Sequence, residues 1–163
     1  MDFNFYTINR KGFLFQFYEI LQDDQLIYRV NRKGILNPRY LMLDMLGQEI
    51  LLIKREFAFF KMRFQIIRDD ITIAFIEKLN KISFEHKLIV DSVDGPLDIK
   101  GNFNRTQYTI SRSGDEVAKI SRHRIRRKKH YGVAVRSDED PVLFLGIIMA
   151  IEFKIQLQKT ASG

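Results

Sequence analysis

Residues 138–153 read DEDPVLFLGIIMAIEF, and residues 142–151 contain no polar side chain in a chain that is otherwise 29% charged. The run crosses a membrane, lies on one, or is hidden in the fold. A helical span needs about 20 apolar residues at 1.5 Å rise each. The uncharged run is roughly half that length before Glu152 and Lys154 interrupt it. Its start carries helix signals. Asp140 can cap the first turn, Pro141 suits the first helical position, and Asp138 and Glu139 favour the positive end of the helix dipole. A surface helix would show a polar residue every three or four positions, whereas every face of this one is apolar, so the helix is expected to be buried. A buried strand pair is the alternative reading of the same run.

Outward from this segment the chain reads as strands. GFLFQF places Phe13, Phe15 and Phe17 at period two, and LIYRV sets Leu26, Tyr28 and Val30 on one face. The segments YLMLDM, EILLIKR, FKMRFQII, ITIAFIEKL and KISFEHKLIV follow, with turns at Asp23 and Asp24, LGQ, RDD and SVDGP. Strands at such short intervals predict an antiparallel sheet that hides its edges by closing. The expected fold is mainly β, a barrel of about ten to twelve strands enclosing the hydrophobic helix. A chain of 163 residues suits one such domain, over residues 1–157, with 158–163 as a frayed tail.

An imperfect repeat runs through the pattern. YLMLDMLGQEILLIKR at 40–55 and YTISRSGDEVAKISR at 108–122 share Tyr, strand, Gly-x-Glu, an apolar residue, Ile and a terminal Arg. Gly47 and Gly114 would each supply a positive φ in a hairpin turn. A duplicated half-barrel and a chance likeness between two hairpins both account for this.

Residues 98–153 resemble the second half of the tubby-like barrel superfamily, in particular the LURP-one-related proteins and the phospholipid scramblases. The likeness is carried by KGN at 100–102, GDEVAKI at 114–120, YGVAV at 131–135, DED at 138–140, Leu145 with Gly146, and Glu152. It implies a closed barrel of about twelve strands around a C-terminal hydrophobic helix. Scramblases carry acidic residues, proposed to bind calcium, just before the aromatic-Gly-Val. Here those positions read RRKKH at 126–130. A hard cation needs several oxygen ligands, and a basic run repels it, so Asp138 and Asp140 read as helix-capping residues.

No hydrolase, P-loop or dinucleotide motif is present, and His86, His123 and His130 lack metal-ligand spacing. No catalytic residue, metal site or cofactor is therefore expected. The lack of cysteine excludes disulfides and thiol chemistry. MDFNFYTINRKGF has no apolar core of about 7–15 residues, so it is not read as a signal peptide; a cytoplasmic or membrane-peripheral protein is expected, not an integral one.

Charge is the informative feature. Residues 117–137 hold Lys119, Arg122, Arg124, Arg126, Arg127, Lys128, Lys129 and Arg136 with no acid, and since the whole chain is +7 the remainder nets −1. Arg122, Arg124 and Arg126 share one side of an extended strand. Because Ile120 has the same parity, a bulge or twist of the strand near Ser121 is expected to turn them outward. Arg122, Arg124, Arg126, Arg127, Lys128 and Lys129 then form a basic ridge. Anionic membrane lipid is the expected partner, and the phosphoinositide binding of tubby proteins points the same way. A nucleic acid is the alternative, with Tyr108 and Tyr131 as the nearest stacking candidates, although alternation places both in the core. A protein-interaction scaffold is a third reading.

Overall fold

A computed structural model describes residues 2–12, 16–58, 61–78, 87–125 and 128–161. Phe13 and Phe15, the start of the KISFEHKLIV segment, and Arg126 and Arg127 lie outside the described residues. Among the described residues, twelve strands and a 3-10 turn at Phe103–Arg105 precede one α-helix: β1 (Phe3–Lys11), β2 (Phe17–Gln22), β3 (Gln25–Lys33), β4 (Arg39–Leu43), β5 (Glu49–Ala58), β6 (Lys61–Arg68), β7 (Ile71–Lys78), β8 (Lys87–Ser92), β9 (Gly95–Asn102), β10 (Gln107–Arg112), β11 (Asp115–Ile125), β12 (Lys128–Arg136) and α1 (Pro141–Ala161). Each strand pairs antiparallel with the next, and β1 pairs with β12, so the sheet closes without an edge.

The helix begins at what is here called the upper end of the barrel. The β2–β3, β4–β5, β6–β7, β8–β9 and β10–β11 turns share that end. Three of these turns are two-residue loops with positive φ at both positions: Asp23 and Asp24 (51° and 61°), Asp69 and Asp70 (51° and 62°), and Ser113 and Gly114 (51° and 88°). Such turns match the right-handed strand twist, and Asp tolerates the left-handed region better than most residues. Gly47 has φ +80°, as its place in the LGQ turn requires. Four of the hairpins, β2–β3, β4–β5, β6–β7 and β10–β11, also shift register by a bulge close to the turn. The extra twist this introduces helps a sheet curl shut.

The helix start is built as its sequence suggests. The Val142 amide donates to Asp140 Oδ1 at 3.1 Å, and Arg68 pairs with Asp140 at 2.8 Å. Glu139 receives Arg112 at 3.0 Å and Arg136 at 3.3 Å. The helix runs beyond the apolar stretch, and residues 158–161, expected as a tail, continue it. Two causes act together. Glu152 and Gln156 find polar partners inside the barrel, so their charge and polarity do not end the burial, and Gln, Lys and Ala favour helix. No helix among the described residues is long and apolar enough to cross a membrane.

Gly146 fixes how the helix sits. A Cβ there would lie 2.6 Å from Leu51 Cδ1 and 3.2 Å from Ile66 Cγ2, so any side chain at this position would have to displace Leu51 to keep this approach. The helix accordingly lies closest to β5, β6 and β7. Larger side chains fill the space towards the other wall. Tyr40 stacks on Phe153 with ring centres 4.3 Å apart and Tyr18 packs beside Tyr40 at 5.9 Å, while from the near strand β6 Phe64 meets Phe153 edge-on at 5.5 Å.

Gly146→Asp places an unpaired charge in this dry contact and should abolish the cooperative thermal transition. Gly146→Ala gains about 1 kcal/mol of helix propensity but overpacks Leu51 and Ile66 by about 1–3 kcal/mol, so a small net loss is expected in chemical denaturation.

Candidate functional site

The β11–β12 hairpin carries the predicted basic ridge to the lower end of the barrel. Its register is unbroken from Ala118↔Val135 to Ile125↔Lys128, so no bulge occurs near Ser121. The irregularity falls earlier, where Val117 and Ala118 are both buried opposite the step between Ile110 and Ser111. Arg122 therefore keeps the inward parity of Ala118 and Ile120 and stands opposite the buried Tyr131. Its Nε is buried without a hydrogen-bond partner. Arg124, Lys128 and Lys129 occupy the lower end of the hairpin strands; Arg126 and Arg127, between them in the chain, lie outside the described residues. Arg122 thus leaves the expected outward ridge and faces the lumen.

Arg122 belongs to a set that the sequence reading missed. Tyr131 pairs with Ile8, and two residues beyond Ile8 stands Arg10, opposite Tyr18. Tyr18 pairs with Val30, and two residues beyond it stands Arg32, opposite Tyr40. Tyr40 pairs with Ile53, two residues before Arg55, which faces Phe64. The same step then leads to Lys78 opposite Leu88, to Gly101 opposite Tyr108, and back to Arg122. A stagger of two residues over two strands corresponds to a strand tilt of about 35°, the tilt at which barrels close. The six positions consequently lie at one height, as an inner ring near the lower rim. Gly101 is the exception to its basic character because a Cβ there would come within 2.5 Å of Tyr108 Cα. The internal repeat held part of this signal: its Arg residues, at 55 and again at 122, are ring positions on opposite sides of the barrel, and its Tyr residues, at 40 and 108, stand opposite ring positions 32 and 101.

Below the apolar core, the carboxyl of Glu152 gathers three donors. Gln156 Nε2 donates to Oε1 at 2.8 Å, Tyr18 OH at 3.1 Å and Tyr131 OH at a long 3.5 Å. Burial, with the Glu152 charge second, raises the pKa of both hydroxyls, that of Tyr131 to about 12. Both tyrosines therefore remain O–H donors at neutral pH. Tyr108 and Tyr131 are core residues, 3% and 5% exposed.

The topology also sorts charge between the two ends. Asp23, Asp24, Asp44, Asp69, Asp70, Asp94 and Asp115 stand at the upper turns, beside Asp138, Glu139 and Asp140. Lys11, Lys33, Arg39, Lys87, Lys100 and Arg105 stand at the lower end with the hairpin. The lower β3–β4 loop presents Ile35 and Leu36, 93% and 95% exposed. Apolar side chains are exposed at the upper end too, among them Leu46 and Val93, but there they sit among aspartates. Among the described residues no group of three or more His, Asp or Glu side chains is placed to hold a metal. Asp138 is engaged by Arg136, and Asp140 by Arg68 and the helix N-terminus.

The sequence profile of the LURP-one-related family matches residues 5–152, nearly the whole barrel. The chain belongs to that family. An X-ray structure of an Arabidopsis thaliana protein is similar in fold, with TM-score 0.65 and 14% identity over 93% of this chain and 92% of that one. Comparison with curated proteins gives no match. The LURP-one-related barrel agrees with the tubby-like architecture that residues 98–153 suggested.

Two outcomes follow for this LURP-one-related barrel. Glu152→Leu leaves three buried donors without their acceptor and should destabilise the fold by on the order of 3 kcal/mol in chemical denaturation, with Glu152→Gln costing less. The folded state holds the tyrosine protons more tightly than the unfolded chain, whose tyrosines ionise near pH 10. Their contribution to stability is complete below about pH 10 and is lost as pH rises through the Tyr131 value of about 12. The denaturant midpoint should fall across that window as tyrosinate absorbance appears.

Proposed function

We propose that this protein is a non-enzymatic module that docks its lower end on membranes rich in anionic phospholipid. The observation that carries the reading is the segregation of charge, which sets basic residues from many strands at one end and most turn aspartates at the other. Near an anionic leaflet each basic residue contributes about 1 kcal/mol, with a strong dependence on salt. The exposed Ile35 and Leu36, between Lys33 and Arg39, favour a lipid surface over a nucleic acid, because an apolar pair gains by entering the headgroup boundary. Single-strand binding also calls for aromatic faces beside the charge, and Tyr108 and Tyr131 are buried.

Flotation with neutral and anionic vesicles, run beside a titration with single-stranded DNA, tests the reading. Anionic vesicles should carry the protein and neutral ones should not. Neutralising Arg126, Arg127, Lys128 and Lys129 together should weaken binding by roughly two orders of magnitude or more. Ile35→Ser with Leu36→Ser should weaken it about tenfold or more without changing its salt dependence. Binding to DNA but to no vesicle, or vesicle binding unaffected by either set, would sink the proposal.

A further inference from the structure

The inner ring has too much positive charge for the groups that face it. Arg10, Arg32 and Arg122 line the wall away from β5, β6 and β7, where the helix leaves most room. None of the three makes an ion pair or hydrogen bond among the described residues, and Arg122 Nε is buried unpartnered. The inward acid beside them is Glu152, whose Oε1 already accepts from Tyr18, Tyr131 and Gln156. Among the described residues, three guanidiniums therefore face one carboxyl whose Oε1 is already engaged.

We propose that this inner rim is a binding site for a phosphate-bearing polyanion, gripped by Arg10, Arg32 and Arg122 from alternate odd-numbered strands. A guanidinium offers a planar fork of donors matched to phosphate oxygens. Neighbouring arginines are two strands apart, about 10 Å along the wall, so one small anion reaches two of them at most, whereas a chain of phosphates or a multiply charged headgroup bridges all three. Tyr18, Tyr40 and Tyr131 stand opposite the three arginines on the neighbouring strands. The site lies at the inner edge of the lower rim, where Arg32 is exposed, apart from the tip of the β11–β12 hairpin and the Ile35–Leu36 tip, and does not depend on the docking proposed above.

Isothermal titration with inorganic tripolyphosphate tests it on the full chain. The wild type should bind and its thermal midpoint should rise with ligand. Arg10→Gln and Arg122→Met should each lose tenfold or more in affinity; the outward Lys54→Gln and Lys119→Gln, equal in charge change, should lose less than twofold. Arg122→Met should keep the ligand-free thermal midpoint, since Nε makes no bond to lose, which separates lost binding from lost folding. Vesicles containing phosphatidic acid, compared at matched charge with phosphatidylglycerol, form the second arm. Tripolyphosphate binding without a preference for phosphatidic acid assigns the site to a soluble ligand, and mutual competition between the two assigns it to a phosphomonoester headgroup. No tripolyphosphate binding, or equal losses from inward and outward variants, overturns the proposal.

Discussion

A twelve-stranded barrel is too wide for its own side chains to fill, because about eight strands already give the largest interior that side chains alone can pack. Every other feature follows from that constraint. The lumen has to receive an additional element, and the element has to be apolar on all sides, since wall surrounds it on all sides. The segment with no polar residue from 142 to 151 meets that demand, and closure of β1 on β12 removes the sheet edges that would otherwise remain exposed.

The helix is not centred in the lumen. Gly146 lets it lie against Leu51 and Ile66, and the wider gap left on the far side is taken by tyrosines, whose rings are long enough to bridge it. A tyrosine in a core brings a hydroxyl that needs a partner. Glu152 supplies one for Tyr18 and Tyr131. A carboxyl deep in the barrel is in this sense a consequence of off-centre packing, and inward arginines stand just beyond the hydroxyls.

The sequence made the barrel and its helix legible because those depend on local signals: alternation, two-residue turns, a capped run without charge. Asp140 and Pro141 mark the helix start from neighbouring residues alone. The orientation of Arg122 was not legible. It depends on where β11 bulges, and that is decided by the pairing of Ile110 and Ser111 on β10 and not by the residues around Ser121. The ring of basic positions was hidden for a related reason, since its members come from separate hairpins and share a height only once strand tilt is known. Gly101 could be quoted from KGN as part of a family likeness, yet its physical reason, the closeness of Tyr108, appears only across β9 and β10.

The order of elements along the chain has a consequence for how the protein is made. All twelve strands leave the ribosome before the helix that fills them, and β1 waits for β12, the last strand to appear. Until synthesis reaches α1, the inward faces of the strands have nothing to pack on, so a nascent chain exposes a long series of apolar strand edges. Folding should therefore be late and abrupt, completed in one event when the helix arrives, and the half-made barrel is the species that molecular chaperones would have to shield.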